Sequence, residues 1–263
     1  MKAGAIALGS RSILGTRVDA TDPAGATRMV LAWARAGESR TVCVATVHLV
    51  MEAHDDPSFR AAVNSADLVT SDGMPLVWGL RLLGIRGATR VYGPDLTPAV
   101  LAGAAREGIP VGFHGGRPQV LDALVAWARR SFPGLEVAHA ESPPFGEPTG
   151  EQLDGEAQRI ARSGARIVFV GLGCPKQERW MAAQRGRVPA VMLGVGAAFD
   201  FLAGAKPQAP RWMQRAGLEW AFRLATEPGR LWRRYLFHNP RFVVLFGAQV
   251  LRERLGISGE VRT

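Results

Sequence analysis

Arg166-Ile-Val-Phe-Val-Gly-Leu-Gly-Cys-Pro-Lys-Gln-Glu178 is the stretch that decides the fold. Residues 167–170, after Arg166, are β-branched and aromatic, as in a buried strand. Gly171 and Gly173 then turn the chain, and Pro175 stands where a helix begins. The spacing predicts a helix over 176–185. Backbone N–H groups at such a helix start suit a phosphate. The segment lacks the third glycine of a Gly-x-Gly-x-x-Gly fingerprint, and no Gly-Lys-Ser/Thr follows it, so nicotinamide and ATP readings are weakened. Lys176-Gln177-Glu178 reads either as a solvated first turn or as a place where Gln177 hydrogen-bonds a sugar or nucleotide.

The same grammar repeats in both directions. Strands are expected over 41–46, 66–70, 109–113, 135–138 and 188–195, and helices over 51–65, 75–83, 94–107, 119–131 and 151–163. Such alternation implies an α/β fold, a mostly parallel sheet flanked by helices, with ligands where strands end and helices start. Four more polar clusters fall just there. They are Thr46-Val-His48, Ser71-Asp72-Gly-Met-Pro75, Arg90-Val-Tyr-Gly-Pro-Asp95 and Gly194-Val-Gly196-Ala-Ala-Phe-Asp200-Phe. Asp72 serves either as a turn or cap residue or as a group facing a ligand. Asp95 can cap the helix after it. Arg90 meets a phosphate, a carboxylate or a surface partner. Asp200, between two phenylalanines, needs a partner, either internal or a ligand.

The chain of 263 residues carries a net charge of +9, and residues 203–263 hold eleven Lys/Arg against four Asp/Glu, with three of the seven tryptophans. Arginines interleaved with large rings suit a surface both anionic and apolar, such as a phospholipid membrane, with nucleic acid as the rival. The longest apolar run there, 242–251, is too short to span a bilayer. Residues 204–210 read as a hinge, which divides the chain into a core over 1–203 and a helical basic appendage over 204–263. Near the start, the apolar stretch 3–8 is too short and glycine-rich for a signal peptide. Cys43 and Cys174 fit no metal spacing and no disulfide scaffold, which favours a reducing cytoplasm. Cys43 reads as a buried thiol.

Five segments occur together in order: Asp72-Gly-x-Pro75, Arg90-x-x-Gly-x-Asp-Leu96, Gly171-Leu-Gly-x-Pro-Lys-Gln-Glu178, Gly194-Val-Gly-Ala-x-Phe-Asp-Phe201 and Gly217-Leu-Glu-Trp-x-x-Arg-Leu224. In this the chain resembles the WecG/TagA/CpsF glycosyltransferases, glycosyltransferase family 26, over about residues 41–242. The resemblance implies a Rossmann-like fold and inverting, metal-independent transfer of a sugar, N-acetylmannosamine-type or related. The donor would be a UDP-sugar and the acceptor a polyprenyl-diphosphate-linked saccharide, in synthesis of a surface polysaccharide or teichoic acid-type polymer. No cofactor is expected beyond the donor, and no convincing His/Asp/Cys metal cluster is visible in the sequence.

By the same resemblance Asp72 is the catalytic base, Thr46 and Arg90 are active-site residues and Gln177 contacts the sugar. His48 stands where the family usually has asparagine, a departure that bears on donor and acceptor identity. It is a second candidate base, with Asp72 preferred. Arg90 and the Gly171–Gly173 turn are candidates for the departing UDP, with Gly196 and Asp200 beside them. The appendage is expected to dock on the cytoplasmic face of a bacterial plasma membrane and close over the site. Arg223, Arg230 and Arg233 would then be available to the pyrophosphate, and Trp212, Trp232 and Phe237 would anchor in the interface. Self-association is plausible on the same ground. Removing residues 224–263 is expected to leave a folded core. Two rivals remain: a nucleic-acid-binding module, for which no base-reading motif is visible, and an inactive sugar-nucleotide-binding relative, against which Asp72 and Gln177 argue.

Overall fold

The computed structural model describes residues 9–256, so stretch 3–8 and the end of the tail lie outside the described residues. The chain opens with an antiparallel hairpin of β1 (Ser10–Ile13) and β2 (Thr16–Asp19). α1 (Pro23–Arg35) follows, its first turn capped by Asp22, which accepts from Gly25 N at 2.6 Å. Then come β3 (Arg40–Ala45), α2 (Val47–Asp55), α3 (Pro57–Asn64), β4 (Leu68–Ser71), α4 (Met74–Leu82) and α5 (Gly93–Glu107). The second half of the core holds β5 (Val111–Gly115), α6 (Pro118–Ser131), β6 (Val137–Glu141), α7 (Gly150–Ser163), β7 (Ile167–Gly171), α8 (Lys176–Gln184), β8 (Val191–Gly194) and α9 (Ala198–Leu202). Three helices make the tail: α10 (Arg211–Arg215), α11 (Glu219–Thr226) and α12 (Pro228–Arg254).

Six strands form one sheet in the order β4-β3-β8-β7-β5-β6, every neighbour parallel. The fold is therefore the expected α/β, Rossmann-like one. Side chains alternate between two cores. On β7, Val168 and Val170 pack with α2, α3, α4, α7 and α8, whereas Ile167 and Phe169 pack with α1, α5, α6 and α9. The connection after β5 leads outward to β6, and the one after β7 leads back to β8. Between β5 and β7 the winding therefore reverses, and a crevice opens above their carboxyl ends. Backbones approach closely there. A Cβ on Gly171 would lie 2.5 Å from the Phe199 ring, so only glycine fits.

Three features differ from the sequence expectations. The hairpin and α1 precede the first strand that periodicity revealed. The single helix expected over 51–65 is two helices, because Pro57 breaks it and Asp56 caps the second, accepting from Ser58 N at 2.8 Å and Phe59 N at 3.0 Å. Most consequential, α12 returns to the core. Phe242 and Phe246 are buried in the same cluster as Leu76 and Leu80 of α4. Gln249 accepts from Leu14 N at 2.9 Å and donates to Ser12 O at 2.7 Å. Arg241 grips Asp55 of α2 through two contacts of 2.8 Å. Cutting the chain at residue 224 would strip these rings from the core cluster.

Candidate active site

The carboxyl ends of the strands and the tail helices enclose one cleft of about 1770 Å³. Thr46 follows β3, Asp72 follows β4, Gly171 ends β7 with Gly173 just beyond it, and Gly196 and Asp200 follow β8; all line it. So do His48, Arg90, Gln177, Arg223 and Arg230. Arg233 does not. It is exposed and lies over the Trp232 ring at 5.2 Å.

Asp72 is fixed from both sides. Its N–H donates to Ala45 O at 2.9 Å, and its carbonyl accepts from Arg90 Nε. Its carboxylate Oδ1 lies 3.2 Å from Arg90 Nη2. The same Nη2 reaches Glu219 Oε2 of α11 at 2.7 Å, and Tyr92 OH donates to Glu219 Oε1 at 3.0 Å. The Arg90 guanidinium stacks on the Tyr92 ring at 3.9 Å. Two carboxylates thus share one guanidinium in a largely desolvated place. Burial pushes the Asp72 carboxyl up to about 7, Glu219 adds to the rise, and Arg90 and Arg223 oppose it. A carboxyl titrating near neutrality can both accept and release a proton at working pH.

Gln177, which also lines the cleft, is buried at the start of α8. Its Nε2 donates to Glu178 Oε1 at 2.7 Å, and among the described residues its Oε1 has no hydrogen-bond partner. Gly194 leaves room for this side chain, since a Cβ there would sit 3.1 Å from Gln177 Nε2 and 2.8 Å from Met181 Cε. A buried acceptor without a partner, on a residue that lines a cleft, is a candidate for a ligand hydroxyl or N–H. Deeper in, His114 stacks on Trp180 at 4.4 Å, and Trp180 Nε1 donates to Glu156 Oε2 at 2.7 Å. Burial holds the His114 imidazole down at about 4, which keeps it neutral.

The remaining expectations resolve individually. Thr46 caps α2, its hydroxyl accepting from Leu49 N at 3.4 Å. Asp95 caps nothing; it sits inside the first turn of α5 and pairs with Arg211 at 2.9 Å. Asp200 has an internal partner, Lys206 Nζ at 3.5 Å, and Lys206 also meets Glu227 at 2.9 Å. Arg230 is tied to Glu227 at 2.6 Å. Arg223 differs: it lies over the Phe201 ring at 5.6 Å, and among the described residues its buried Nε has no partner. Cys43 is buried, and burial raises its thiol pKa. Sequence reasoning missed Glu219 and Tyr92 as members of the Asp72 cluster. The available signal was an acid inside an otherwise basic tail segment.

A parallel sheet covered by helices on both faces, with a cleft along its carboxyl edge and a near-neutral carboxylate set among arginines, is the arrangement of an α/β enzyme. The chain belongs to the glycosyl transferase WecG/TagA/CpsF family, whose model matches residues 11–256, nearly its whole length. It is thus a transferase with a sugar donor and an acceptor. Among the described residues no helix is long and apolar enough to cross a membrane.

Proposed function

We propose that the protein transfers an N-acetylmannosamine-type or related sugar from a UDP-sugar to a polyprenyl-diphosphate-linked saccharide, with inversion and without a metal in the transfer step. The observation that carries this reading is Asp72, a cleft carboxyl held near neutrality and anchored at both its backbone and its side chain. Inversion by single displacement needs one base. Asp72 takes the proton of the acceptor hydroxyl as that oxygen bonds to the anomeric carbon. The bond from that carbon to the diphosphate breaks, and its electron pair leaves with UDP.

The leaving charge needs cations and N–H donors. Arg223 suits this best among the tail arginines, because it lines the cleft and among the described residues forms no ion pair, whereas Arg230 is held by Glu227. The N–H groups of the Gly171–Gly173 turn are the complementary donors. Arg90 is already held by Asp72 and Glu219, so its part is to position and tune the base. Gln177 Oε1 accepts from a sugar hydroxyl or N-acetyl N–H. Membrane attachment is supported by Trp212, Leu236, Phe237, Val243 and Val244, all exposed.

The test is UDP release from a panel of UDP-sugars, with and without a polyprenyl-diphosphate-linked GlcNAc acceptor. Release is expected to depend on acceptor for one donor. Asp72→Ala should lower it by about a hundredfold or more while UDP still binds. Equal turnover by that variant removes Asp72 from the mechanism.

A further inference from the structure

His48 and Glu52 stand at i and i+4 on α2, so their side chains share one face. His238 of α12 comes over that face. His48 Nδ1 lies 3.6 Å from Glu52 Oε1, and His238 Nε2 lies 3.5 Å from the same oxygen. All three donor atoms fall within 4.8 Å of one another. Two donors bound at about 2.0–2.1 Å to one tetrahedral zinc ion stand about 3.4 Å apart. The two observed separations are thus already close to the edges of such a polyhedron. The imidazole rings, 5.1 Å apart at 61°, are inclined rather than stacked face to face. Two imidazoles and one carboxylate form a donor set that zinc and its neighbours in the first transition row accept.

We infer that His48, Glu52 and His238 bind a divalent transition metal of the zinc class, which clasps α12 to α2. Glu52 and His48 come from the core and His238 from the tail, so the ion would cross-link the two. It would act beside the Arg241–Asp55 pair, which makes the same helix–helix contact. Both histidines line the cleft, so a fourth ligand comes from there. The ion lies outside the proposed transfer step, and the inference stands or falls without it. With His48 engaged as a ligand, Asp72 is the remaining candidate base. A second convergence of His114, His139 and Glu141 is a poorer site. There Arg159 donates to both Glu141 oxygens, at 2.6 and 3.0 Å, and an added cation would face that guanidinium.

The experiment uses the full chain without a histidine tag, stripped by a chelator and dialysed. Zn²⁺ is titrated against a chromophoric competitor, and Co²⁺ is added separately to read its d–d absorption. The expected result is about one equivalent of Zn²⁺ with a tetrahedral Co²⁺ spectrum. His238→Gln and Glu52→Gln should each lose both, and His139→Gln should keep both. Zn²⁺ should also slow proteolysis within residues 204–210 of the parent chain and leave His238→Gln unaffected. Absence of stoichiometric binding by the folded parent chain overturns the inference, whatever the variants do. Binding that survives in His238→Gln and Glu52→Gln, or is lost in His139→Gln instead, overturns it as well.

Discussion

Replacing Glu219 by glutamine removes one negative charge from the Asp72–Arg90–Glu219 cluster and little else. The amide keeps an oxygen for one neighbour and the same length. Arg90 Nη2 stands 3.2 Å from Asp72 Oδ1 and 2.7 Å from Glu219 Oε2, so those oxygens are at most about 6 Å apart. Two unit charges at that separation repel by about 3 kcal/mol at an effective dielectric of about 20, and by about 0.7 kcal/mol in bulk water. The corresponding shift is about 0.5 to 2 pH units. Glu219 raises the Asp72 pKa, so its neutralisation lowers it and frees Arg90 to favour the Asp72 carboxylate further. A base acts when deprotonated, so kcat/KM falls on the acid side as pH drops through its pKa. The parent enzyme should show that limb near pH 7, where the Asp72 carboxyl titrates at about 7. In Glu219→Gln it should move about one unit toward acid. The assay is UDP release at constant ionic strength from about pH 5 to 9, analysed as kcat/KM. An acid limb that stays in place or moves upward refutes the argument that Asp72 is the base and feels the Glu219 charge.

Asp72→Asn should stabilise the fold at alkaline pH while destroying transfer. The Asp72 pKa is raised from 3.8 to about 7, so its contribution to stability is full below the unfolded value and lost as pH rises through about 7. Urea denaturation should show the variant gaining about 2–4 kcal/mol over the parent at about pH 8 relative to about pH 5. Phe246→Ala should cost about 3–5 kcal/mol, because its buried ring packs on α4 and cannot be replaced by solvent. Thermal unfolding, together with faster proteolysis of α12, reads this out. Val244→Ser combined with Leu251→Ser should weaken binding to anionic vesicles by about tenfold or more while leaving the melting temperature unchanged, since both side chains are exposed. Unchanged sedimentation with vesicles counts against α12 as the docking element.

The central sheet was legible because all its strands except the edge strand β6 are buried on both faces. Runs such as Ile167 to Val170 are continuous apolar stretches that helices rarely imitate at that length. The hairpin Ser10–Asp19 was not, because its β1 pattern is exposed and its partner offers four residues. The split at Pro57 was available from the proline and the preceding Asp56, which together mark a helix start. For the site, loop position alone placed Thr46, Asp72, Gly171 and Gly196 on one edge. What sequence could not reveal is pairing across distance. Asp95 looked like a cap because it opens a helix, and its partner Arg211 lies in the tail. His48 read as a lone substitution because Glu52 is near it in sequence and His238 is not. Glu219 sits in a recognisable motif, yet nothing local says that it will divide Arg90 with Asp72.

Charge counted along the tail overstates what it can offer an anionic surface under the proposed membrane role. Core acids take three of its cations: Asp200 takes Lys206, Asp95 takes Arg211 and Asp55 takes Arg241. Glu227 holds Arg230 within the tail. Among the described residues, Arg215, Arg233, Arg252 and Arg254 are exposed and have no acidic partner. At about 1 kcal/mol for each basic side chain near an anionic leaflet, four such arginines supply on the order of 4 kcal/mol. That alone corresponds to about millimolar binding. The exposed ridge of Leu236, Phe237, Val243, Val244 and Leu251 must therefore supply the larger part of any stable attachment. Arg223 is excluded from that surface set, since its Nε is buried in the cleft wall. On the proposed reading, the two anions the tail was expected to meet would fall to different arginines: the leaving diphosphate to Arg223, and the lipid head groups to the exposed four.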